Sequence, residues 1–242
     1  MRRPKSDIPN GVTERVIRAF KENRSEAKNQ WVGASSLVRL EIRECIRRGK
    51  VVGVRSYDRE GRLQIETPLK NGKKHGREIY WNENGTVNFI EPYFEGKMHG
   101  TAKQYDLKGR IIGTYTMVHG TGHDVWRNQN ADGPIHVSEI RSMRDGSMHG
   151  YEWWLNEDQR SVHEEKHWYE GKLHGVERSW RGGKLIRGYP KYWVRHKAVT
   201  KRQYVRAAQR DPTLPLFRLK DNSPRREFPL GIRRLLKARK NK

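Results

Sequence analysis

The chain has 242 residues and a formal net charge of +23, with 33% hydrophobic and 33% charged residues. Its single cysteine, Cys45, excludes an intramolecular disulfide, and no stretch approaches the ~20 apolar residues that a membrane helix needs. The basic N-terminus has no apolar run behind it. We therefore expect a cytoplasmic protein with no signal peptide and no transmembrane segment.

The positive charge is concentrated at the two ends of the chain. Residues 1–50 hold 13 Lys and Arg against 6 Asp and Glu, residues 51–190 hold 21 against 19, and residues 191–242 hold 17 against 3. A nearly neutral middle between basic ends indicates three segments. We place an N-terminal helical cap at 1–48, a repeat region at 49–188 and a basic C-terminal segment at 189–242.

Two helices are predicted before residue 49. Apolar residues recur near the helical period over residues 10–31, and a second stripe follows over 35–49, with Ser35 or Ser36 as N-cap and Gly49 as stop. Two helices that lead into a hairpin are typical of a winged-helix DNA-binding unit. The alternative is an α-helical hairpin that caps a repeat array. We prefer the cap, because the supposed wing is better explained as the first repeat.

The middle of the chain is an internal repeat. Three stretches align without gaps, namely GRLQIETPLKNGKKHG (61–76), GTVNFIEPYFEGKMHG (85–100) and RSVHEEKHWYEGKLHG (160–175). Two further units end in MVHG (117–120) and RDGSMHG (144–150). Self-similarity at a spacing of about 20–30 residues is typical of a repeat architecture.

Turn signals separate the strands of each unit. Asp58, Asn82 and Asp106 each begin a four-residue turn that ends in glycine, as a type I turn prefers. The following turn is a dipeptide whose glycine supplies a positive φ. The dipeptides are Asn71-Gly72, Glu95-Gly96, Asp145-Gly146 and Glu170-Gly171. We therefore predict a mainly β protein, with one β-hairpin per unit in an elongated antiparallel hairpin-repeat sheet.

The letters HEEKH at 163–167 match the H-E-x-x-H motif of zinc metalloproteases. That motif needs a helix, because four residues of a strand span roughly 13 Å and separate the two imidazoles. In the repeat alignment, His167 takes the place of Pro68 and Pro92, and proline breaks a helix. We therefore predict a strand, and no catalytic residue or metal ligand here.

Aromatic residues recur at fixed distances from the glycine that closes each unit, seven before it or about five after it. Neighbouring hairpins are expected to stack these side chains along one face of the sheet. Trp and Tyr are enriched in binding hot spots, so we expect this face to contact a protein partner. The predicted partner-binding residues are Trp81, Tyr93, Tyr105, Trp126, Trp154, Trp168 and Trp180.

The repeat period breaks near residue 120, where a shortened unit precedes a longer turn in 127–139. His119, His123, Asp124 and Trp126 form a site-like cluster there. A metal hydrolase is one interpretation, and a plain turn before a late-starting strand is the other. We prefer the plain turn, because loop heterogeneity is common without catalysis. A metal-ligand ladder of the His-Gly turn histidines is also less favoured than hydrogen bonding within each hairpin. We therefore expect no cofactor and no enzymatic activity.

A short helix is predicted over 201–210, with Thr200 as N-cap and with Tyr204, Val205 and Ala208 docked on the end of the sheet. The remaining residues form either a short basic helix or a disordered tail. Basic residues with interleaved aromatics suit phosphate contact and base stacking, and equally an acidic protein or an anionic lipid surface. The candidate anion or nucleic-acid contacts are Arg195, Lys197, Lys201, Arg202, Arg225, Arg226, Arg233 and Arg234.

The pattern Gly-Lys-x-His-Gly, followed by an aromatic strand and an N/D-x-x-G turn, resembles the MORN-variant repeat of the YwqK-type antitoxin family of bacteria. The likeness covers about residues 49–188, with Gly49–Gly53 as a degenerate first unit, and 119–122 matches the H-G-x-G of ordinary MORN repeats. The resemblance implies an elongated antiparallel sheet that binds proteins or, in some eukaryotic relatives, lipid head groups.

These observations lead us to expect a non-enzymatic protein-interaction scaffold, with antitoxin-like neutralisation of a protein partner, for instance an acidic toxin. The alternative is nucleic-acid or anionic-surface binding through the basic termini, with the sheet as a spacer. An enzyme is the least favoured class, because no nucleophile, base and orienting group can be assembled from the spacing.

Overall fold

The computed structural model describes residues 4–19, 41–128 and 135–236. It divides into two compact units, Met1–Ile111 and Ile112–Lys242. Both units consist mainly of antiparallel β-strands joined as hairpins, which confirms the prediction of a mainly β hairpin protein. Within the described residues, no helix has the length and apolar character needed to cross a membrane.

The first unit is an antiparallel sheet in which long strands pair in chain order. Its strands are β1 (Thr13–Ala19), β2 (Glu41–Arg47), β3 (Lys50–Tyr57), β4 (Leu63–Lys70), β5 (Lys73–Lys74), β6 (Gly76–Trp81), β7 (Val87–Phe94), β8 (Lys97–Met98) and β9 (Gly100–Tyr105). The two-residue strands β5 and β8 extend the tight turns that lead from β4 to β6 and from β7 to β9.

The second unit repeats this arrangement and adds helices. Its strands are β10 (Ile111–Val118), β11 (Thr121–Asn128), β12 (His136–Arg144), β13 (Ser147–Leu155), β14 (Val162–Tyr169), β15 (Lys172–Leu173), β16 (Gly175–Arg181), β17 (Lys184–Leu185), β18 (Lys191–Val194) and β19 (Lys197–Val199). The helices are α1 (Lys201–Ala208) and α2 (Leu230–Leu236), with a 3₁₀ turn at Leu219–Asn222 between them.

The predicted N-terminal helices are wrong in the part of the chain that the structure describes. The segments Thr13–Ala19 and Glu41–Arg47 are strands that pair with each other. β2 continues into β3 through the turn Arg48-Gly49, where both residues have positive φ, so Gly49 ends no helix. The winged-helix alternative loses its two helices for the same reason. The predicted N-cap at Ser35 or Ser36 lies outside the described residues.

Cross-strand ion pairing accounts for the strands at the N-terminus. Arg15 on β1 lies 2.5 Å from Glu44 on β2, and Glu14 on β1 lies 3.2 Å from Arg43 on β2. Arg15 and Glu44 lie directly opposite each other, and Glu14 and Arg43 are diagonal neighbours, so both pairs stabilise the pairing of the two strands. Among the described apolar residues that suggested a helical stripe, Val16 is 54% exposed and Ile17 50%. Burial of these two side chains in a core therefore does not favour a helix over a strand here.

The turn predictions are confirmed. The backbone N–H groups of Gly61 and Gly85 donate to the carbonyls of Asp58 and Asn82 at 3.1 and 2.9 Å, as type I turns require. In the dipeptide turns both residues have positive φ, for example 53° and 74° at Asn71-Gly72. Turns with two positive φ values match the twist of a hairpin.

The turn at His119-Gly120 corrects the repeat alignment. Its φ values are 48° and 77°, and it joins β10 to β11, so it is equivalent to the tight turn Asn71-Gly72. Gly122 pairs with Met143 of the next strand, as Gly150 pairs with Trp168, so Gly122 takes the unit-closing place instead. MVHG therefore lies at the tight turn inside a unit, whereas the other His-Gly pairs lie at the end of their units. The match of residues 119–122 to H-G-x-G thus involves a different kind of turn from the other His-Gly pairs.

The HEEKH segment lies in strand β14, which pairs with β13 over six positions, as the alignment predicts. His167 lies against the closing glycine of its unit, since a Cβ built on Gly175 would come within 2.5 Å of the His167 Cβ. Pro92 lies in the same way against Gly100, at 3.1 Å. His167 and Pro92 therefore share a place in the alignment because each packs its ring against the closing glycine of its unit.

The C-terminal segment folds back over one face of the second sheet. Thr200 caps α1, and Gln203 completes the capping box, as the sequence predicts. Tyr204 is fully buried in a cluster with Val176 of β16 and Leu214. We call this face, which carries Trp153, Glu165, Val176, Arg178 and Trp180, the covered face.

Glu165 is the principal polar contact between the covered face and the C-terminal segment. Its carboxylate accepts from Trp153 Nε1 at 2.9 Å, from Arg178 Nη1 at 2.8 Å and from Arg226 Nε at 2.6 Å. The Arg226 guanidinium also lies over the Trp180 ring, 5.0 Å from its centroid. These three donors satisfy the hydrogen-bonding capacity of the buried carboxylate.

In the first unit, residues 4–12 take a comparable position. Ile8 is 2% exposed and packs on Gly53, where a Cβ would come within 2.4 Å of its Cδ1. The Asp7 carboxylate accepts from the Arg77 backbone N–H at 2.8 Å and binds its guanidinium, and these contacts lower the pKa of Asp7. The N-terminal segment is therefore held on the sheet by one apolar and one charged contact.

We expect Gly175→Ala to destabilise the protein by about 1–3 kcal/mol, because the new methyl group overlaps the Cβ of His167. Gly231→Ala is the matched control, since nothing lies within 4 Å of a Cβ there. Urea unfolding measures both variants. Equal midpoints for the two would contradict the packing role of the closing glycine.

We expect Arg226→Ala to destabilise the protein by about 3 kcal/mol, because Glu165 is left buried with one cation fewer. The neighbouring Arg225 is exposed, so Arg225→Ala serves as the control and should change little. The free energy of unfolding in urea checks this, and a loss no larger than that of the control would show that Glu165 does not hold the segment.

Candidate functional site

Strand register divides the aromatic residues between two faces of the sheet. Trp153 pairs with Glu165 on the covered face, whereas the next residue, Trp154, pairs with Glu164 on the opposite one. Because side chains alternate along a strand, a shift of one residue moves a side chain to the other face. The offset of Trp126 and Trp154 by one place in the repeat therefore changes their face.

The face opposite the covered face carries a row of half-buried tryptophans, and we call it the tryptophan face. Cross-strand pairs from β11 to β18 define its members. Its tryptophans are Trp126, Trp154, Trp168 and Trp193, its carboxylates are Asp124, Glu139, Glu152, Glu164 and Glu177, and its cations are Arg141, Lys166 and Lys191.

A tryptophan–glutamate hydrogen bond recurs along this face. Trp168 lies opposite Gly150 and donates its Nε1–H to Glu152 at 2.8 Å. One repeat later, Trp193 lies opposite Gly175 and donates to Glu177 at 2.7 Å. In each case the glutamate two residues after the closing glycine accepts the hydrogen bond of the indole N–H. The repeat thus builds aromatic and acidic groups into the face together.

Arg141 lies in the middle of three carboxylates. Its Nε donates to Glu139 at 2.6 Å and lies 3.5 Å from Glu152, while its Nη1 is 3.8 Å from Asp124. The side chains of Glu139 and Glu152 are only 7% and 6% exposed, whereas those of Asp124 and Arg141 keep 15% and 25%. The two glutamates are therefore buried, and the cluster reaches solvent mainly at Arg141.

Burial and like charge favour the protonated forms of this cluster. Burial, together with the charge of Glu152, raises the pKa of Glu139 to about 7, although Arg141 opposes the shift. Burial also raises the pKa values of Glu152 and Asp124. One guanidinium cannot balance three carboxylates, so the cluster retains a proton near neutral pH.

A cation on this face, Lys166, lies between a ring and a carboxylate. Lys166 Nζ is 4.6 Å from the centroid of Trp154 and 2.6 Å from Glu164. In the first unit, Lys74 Nζ is 4.6 Å from the centroid of Tyr93 and is bound to Glu78. This arrangement combines a cation–π contact with an ion pair.

The first unit carries the same pattern with tyrosines. Tyr93 lies opposite Gly76 and donates its hydroxyl to Glu91 at 2.9 Å, and Tyr80 donates to Glu78 at 3.0 Å. Glu78 also accepts from Thr67 at 2.6 Å. Here the acidic groups are well supplied with donors, so the second unit is the better candidate for a binding site.

The predicted partner-binding residues are not brought together on one face. In the second unit Trp126, Trp154 and Trp168 share the tryptophan face, whereas Trp180 is 5% exposed on the covered face. In the first unit Trp81 is 6% exposed. Tyr105 packs against its cluster, while Tyr93 lies on the opposite face. The expectation that all seven aromatics stack along a single face is therefore wrong.

The predicted anion contacts are exposed with one exception. Arg195, Lys197, Lys201, Arg202, Arg225, Arg233 and Arg234 lie at the surface. Arg195 and Lys197 flank the β18–β19 turn, and Lys201 and Arg202 begin α1. Arg226 is instead half-buried and bound to Glu165. Its part in the structure is to hold the C-terminal segment.

The predicted histidine cluster is split by the sheet. Asp124 and Trp126 lie on the tryptophan face, whereas His123 pairs with Ser142 on the opposite one. Burial lowers the pKa of His123. Within the described ranges, no group of three or more His, Cys, Asp or Glu side chains is placed to hold a metal ion.

The sequence reasoning missed the acidic half of the site. Glu139, Glu152 and Glu177 were not singled out, and neither was Arg141. A signal was present, because the closing glycines Gly150 and Gly175 are each followed two residues later by glutamate. Comparisons of the chain with protein-family models, with curated proteins and with solved structures find no match.

The raised pKa of Glu139 makes stability depend on pH. The folded value of about 7 lies above the ordinary 4.5, so this group stabilises the fold below pH 4.5 and loses that contribution as pH rises through 7. Glu139→Gln removes the titration. We expect the stability of the variant relative to wild type to rise by about 2–3 kcal/mol from pH 4.5 to 8.

Urea unfolding at several pH values measures this difference, with the exposed Glu157→Gln as the control. A difference between Glu139→Gln and wild type that stays constant with pH would contradict the account of the cluster.

Proposed function

We propose that the protein is a non-enzymatic interaction scaffold and that the tryptophan face of the second unit binds a protein partner. The supporting observation is the asymmetry of the sheet. The C-terminal segment packs on the covered face, while Trp126, Trp154 and Trp168 remain half-buried on the other. Large aromatic side chains that the fold does not bury completely are typical of interface hot spots.

The polar groups of this face support binding rather than catalysis. The carboxylates with raised pKa values are bound to Arg141 and Trp168. These contacts orient the side chains firmly, as a rigid binding surface requires.

The hairpin repeat, with its tight turns and closing glycines, supports the proposal that the chain is related to the MORN-variant proteins. The proposed antitoxin-like role, in which the scaffold neutralises a partner, follows from that relation alone. We also propose a cytoplasmic location, because the single Cys45 is buried and free.

The alternative function, binding of nucleic acid or another anionic surface, has its own support. Seven of the eight predicted anion contacts are exposed, four of them at the β18–β19 turn and the start of α1. Such binding would weaken steeply with salt.

A pull-down from native lysate at two salt concentrations, with and without nuclease, tests the proposed function. We expect wild type to retain one protein in all four conditions, and Trp154→Ala with Trp168→Ala to lose it. Leu219→Ala is the matched control, since Leu219 is 74% exposed and lies outside the tryptophan face.

Circular dichroism first establishes that the variants are folded. Equal retention by wild type and the folded tryptophan variants would contradict the proposal. Retention of nucleic acid alone, removed by high salt, would replace it with the alternative.

A further inference from the structure

The composition of the tryptophan face contrasts with the rest of the chain. The protein carries a net charge of +23, yet Asp124, Glu139 and Glu152 surround a single guanidinium, that of Arg141. At physiological salt the screening length is about 8 Å, so the local charge decides what approaches the cluster. This cluster therefore attracts a cation.

The chain itself shows how a cation is accommodated. Lys166 lies on Trp154 and binds Glu164, and Lys74 repeats this arrangement with Tyr93 and Glu78. Aromatic rings and carboxylates also lie side by side at the carboxylate cluster. Trp126 lies opposite Glu139 across the β11–β12 pair, and Trp168 donates to Glu152.

Asp124 provides an acceptor for a further donor. Its Oδ1 atom is shielded from solvent and, in the part of the chain that the structure describes, accepts no hydrogen bond. The carboxylate also lies at the long distance of 3.8 Å from Arg141 Nη1 and accepts a hydrogen bond from the Tyr115 side chain, so Oδ1 is the atom left for a further donor. An unsatisfied buried carboxylate oxygen is costly, and a guanidinium or ammonium group would relieve that cost.

We propose that this cluster is the specificity pocket of the tryptophan face and receives an arginine or lysine side chain from a cationic segment of the partner protein. The inference rests on the proposed function and names the chemistry of its partner. The charged group binds Asp124 and the Glu139–Glu152 pair, and its stem lies against Trp126 and Trp168. A second copy of this chain is disfavoured as the occupant, because two chains of +23 repel each other.

Binding of a cation must displace the proton that the cluster retains. The neighbouring charges are Asp124 on β11, Arg141 on β12, Glu164 and Lys166 on β14, and Glu177 on β16. Burial and the carboxylates raise the pKa of Glu139, and Arg141 lowers it. A cationic ligand favours the ionised pair, so its affinity rises with pH through about 7.

The test uses the full chain and a ten-residue glycine–serine peptide that carries three arginines. The matched probe replaces each arginine with citrulline, which keeps the shape and removes the charge. Calorimetry at pH 6 and pH 8 measures both. We expect the arginine peptide to bind about tenfold more tightly at pH 8 than at pH 6, and the citrulline peptide to bind at least tenfold more weakly.

Three variants locate the binding site. Asp124→Asn and Glu152→Gln conserve side-chain shape and should lower the affinity for the arginine peptide at least tenfold. Glu170→Gln, at an exposed turn, should leave that affinity unchanged. Equal binding of the two peptides, no binding of the arginine peptide, or equal affinity in all three variants overturns the proposal. Self-association that the peptide abolishes would assign the pocket to a second copy and also overturn it.

The outcome is separable from that of the proposed function. If Asp124→Asn still retains the lysate protein that Trp154→Ala and Trp168→Ala lose, the tryptophan face is a binding surface and the cationic pocket is wrong. If neither the tryptophan variants nor Asp124→Asn affects capture while the arginine peptide binds the cluster, the proposed function fails alone.

Discussion

The Glu165 carboxylate accepts hydrogen bonds from Trp153 and Arg178 on its own sheet and from Arg226, 61 residues further along the chain. This buried contact fixes the C-terminal segment on one face of the second unit. Tyr204 and Phe228 then complete the apolar cover around it. The opposite face carries tryptophans hydrogen-bonded to carboxylates, as in Trp168–Glu152 and Trp193–Glu177. The interaction that stabilises the fold therefore also determines which face the C-terminal segment leaves uncovered.

Much of the fold is local and follows from the sequence. Gly72 and Gly96 supply the positive φ of the hairpin turns, and Thr200 and Gln203 form a capping box within four residues. The N-terminal helices could not be corrected from the sequence. The apolar residues near Val16 fit the helical and the strand period alike. Cross-strand pairs such as Arg15–Glu44, which join residues 29 apart in the sequence, favour the strand.

The site was only half predictable. The aromatic residues were identified from their recurrence. The face on which each one lies changes with a shift of one residue along the strand, and β-bulges introduce such shifts, as between Trp154 and Leu155. The carboxylates were missed because Glu139, Glu152 and Glu177 resemble ordinary surface residues until the register places them beside tryptophans. The contact between Arg226 and Glu165 could not be predicted either, because no local sequence pattern relates Arg226 to β14.

The most direct measurement is hydroxyl-radical footprinting of the full chain, read residue by residue by mass spectrometry. It compares the tryptophans of the tryptophan face with those of the covered face, which are 7% exposed at Trp153 and 5% at Trp180. The account predicts faster oxidation of Trp126, Trp154 and Trp168 than of these two. Oxidation of Trp153 and Trp180 at the same rate as Trp154 would contradict the division into a covered and an open face.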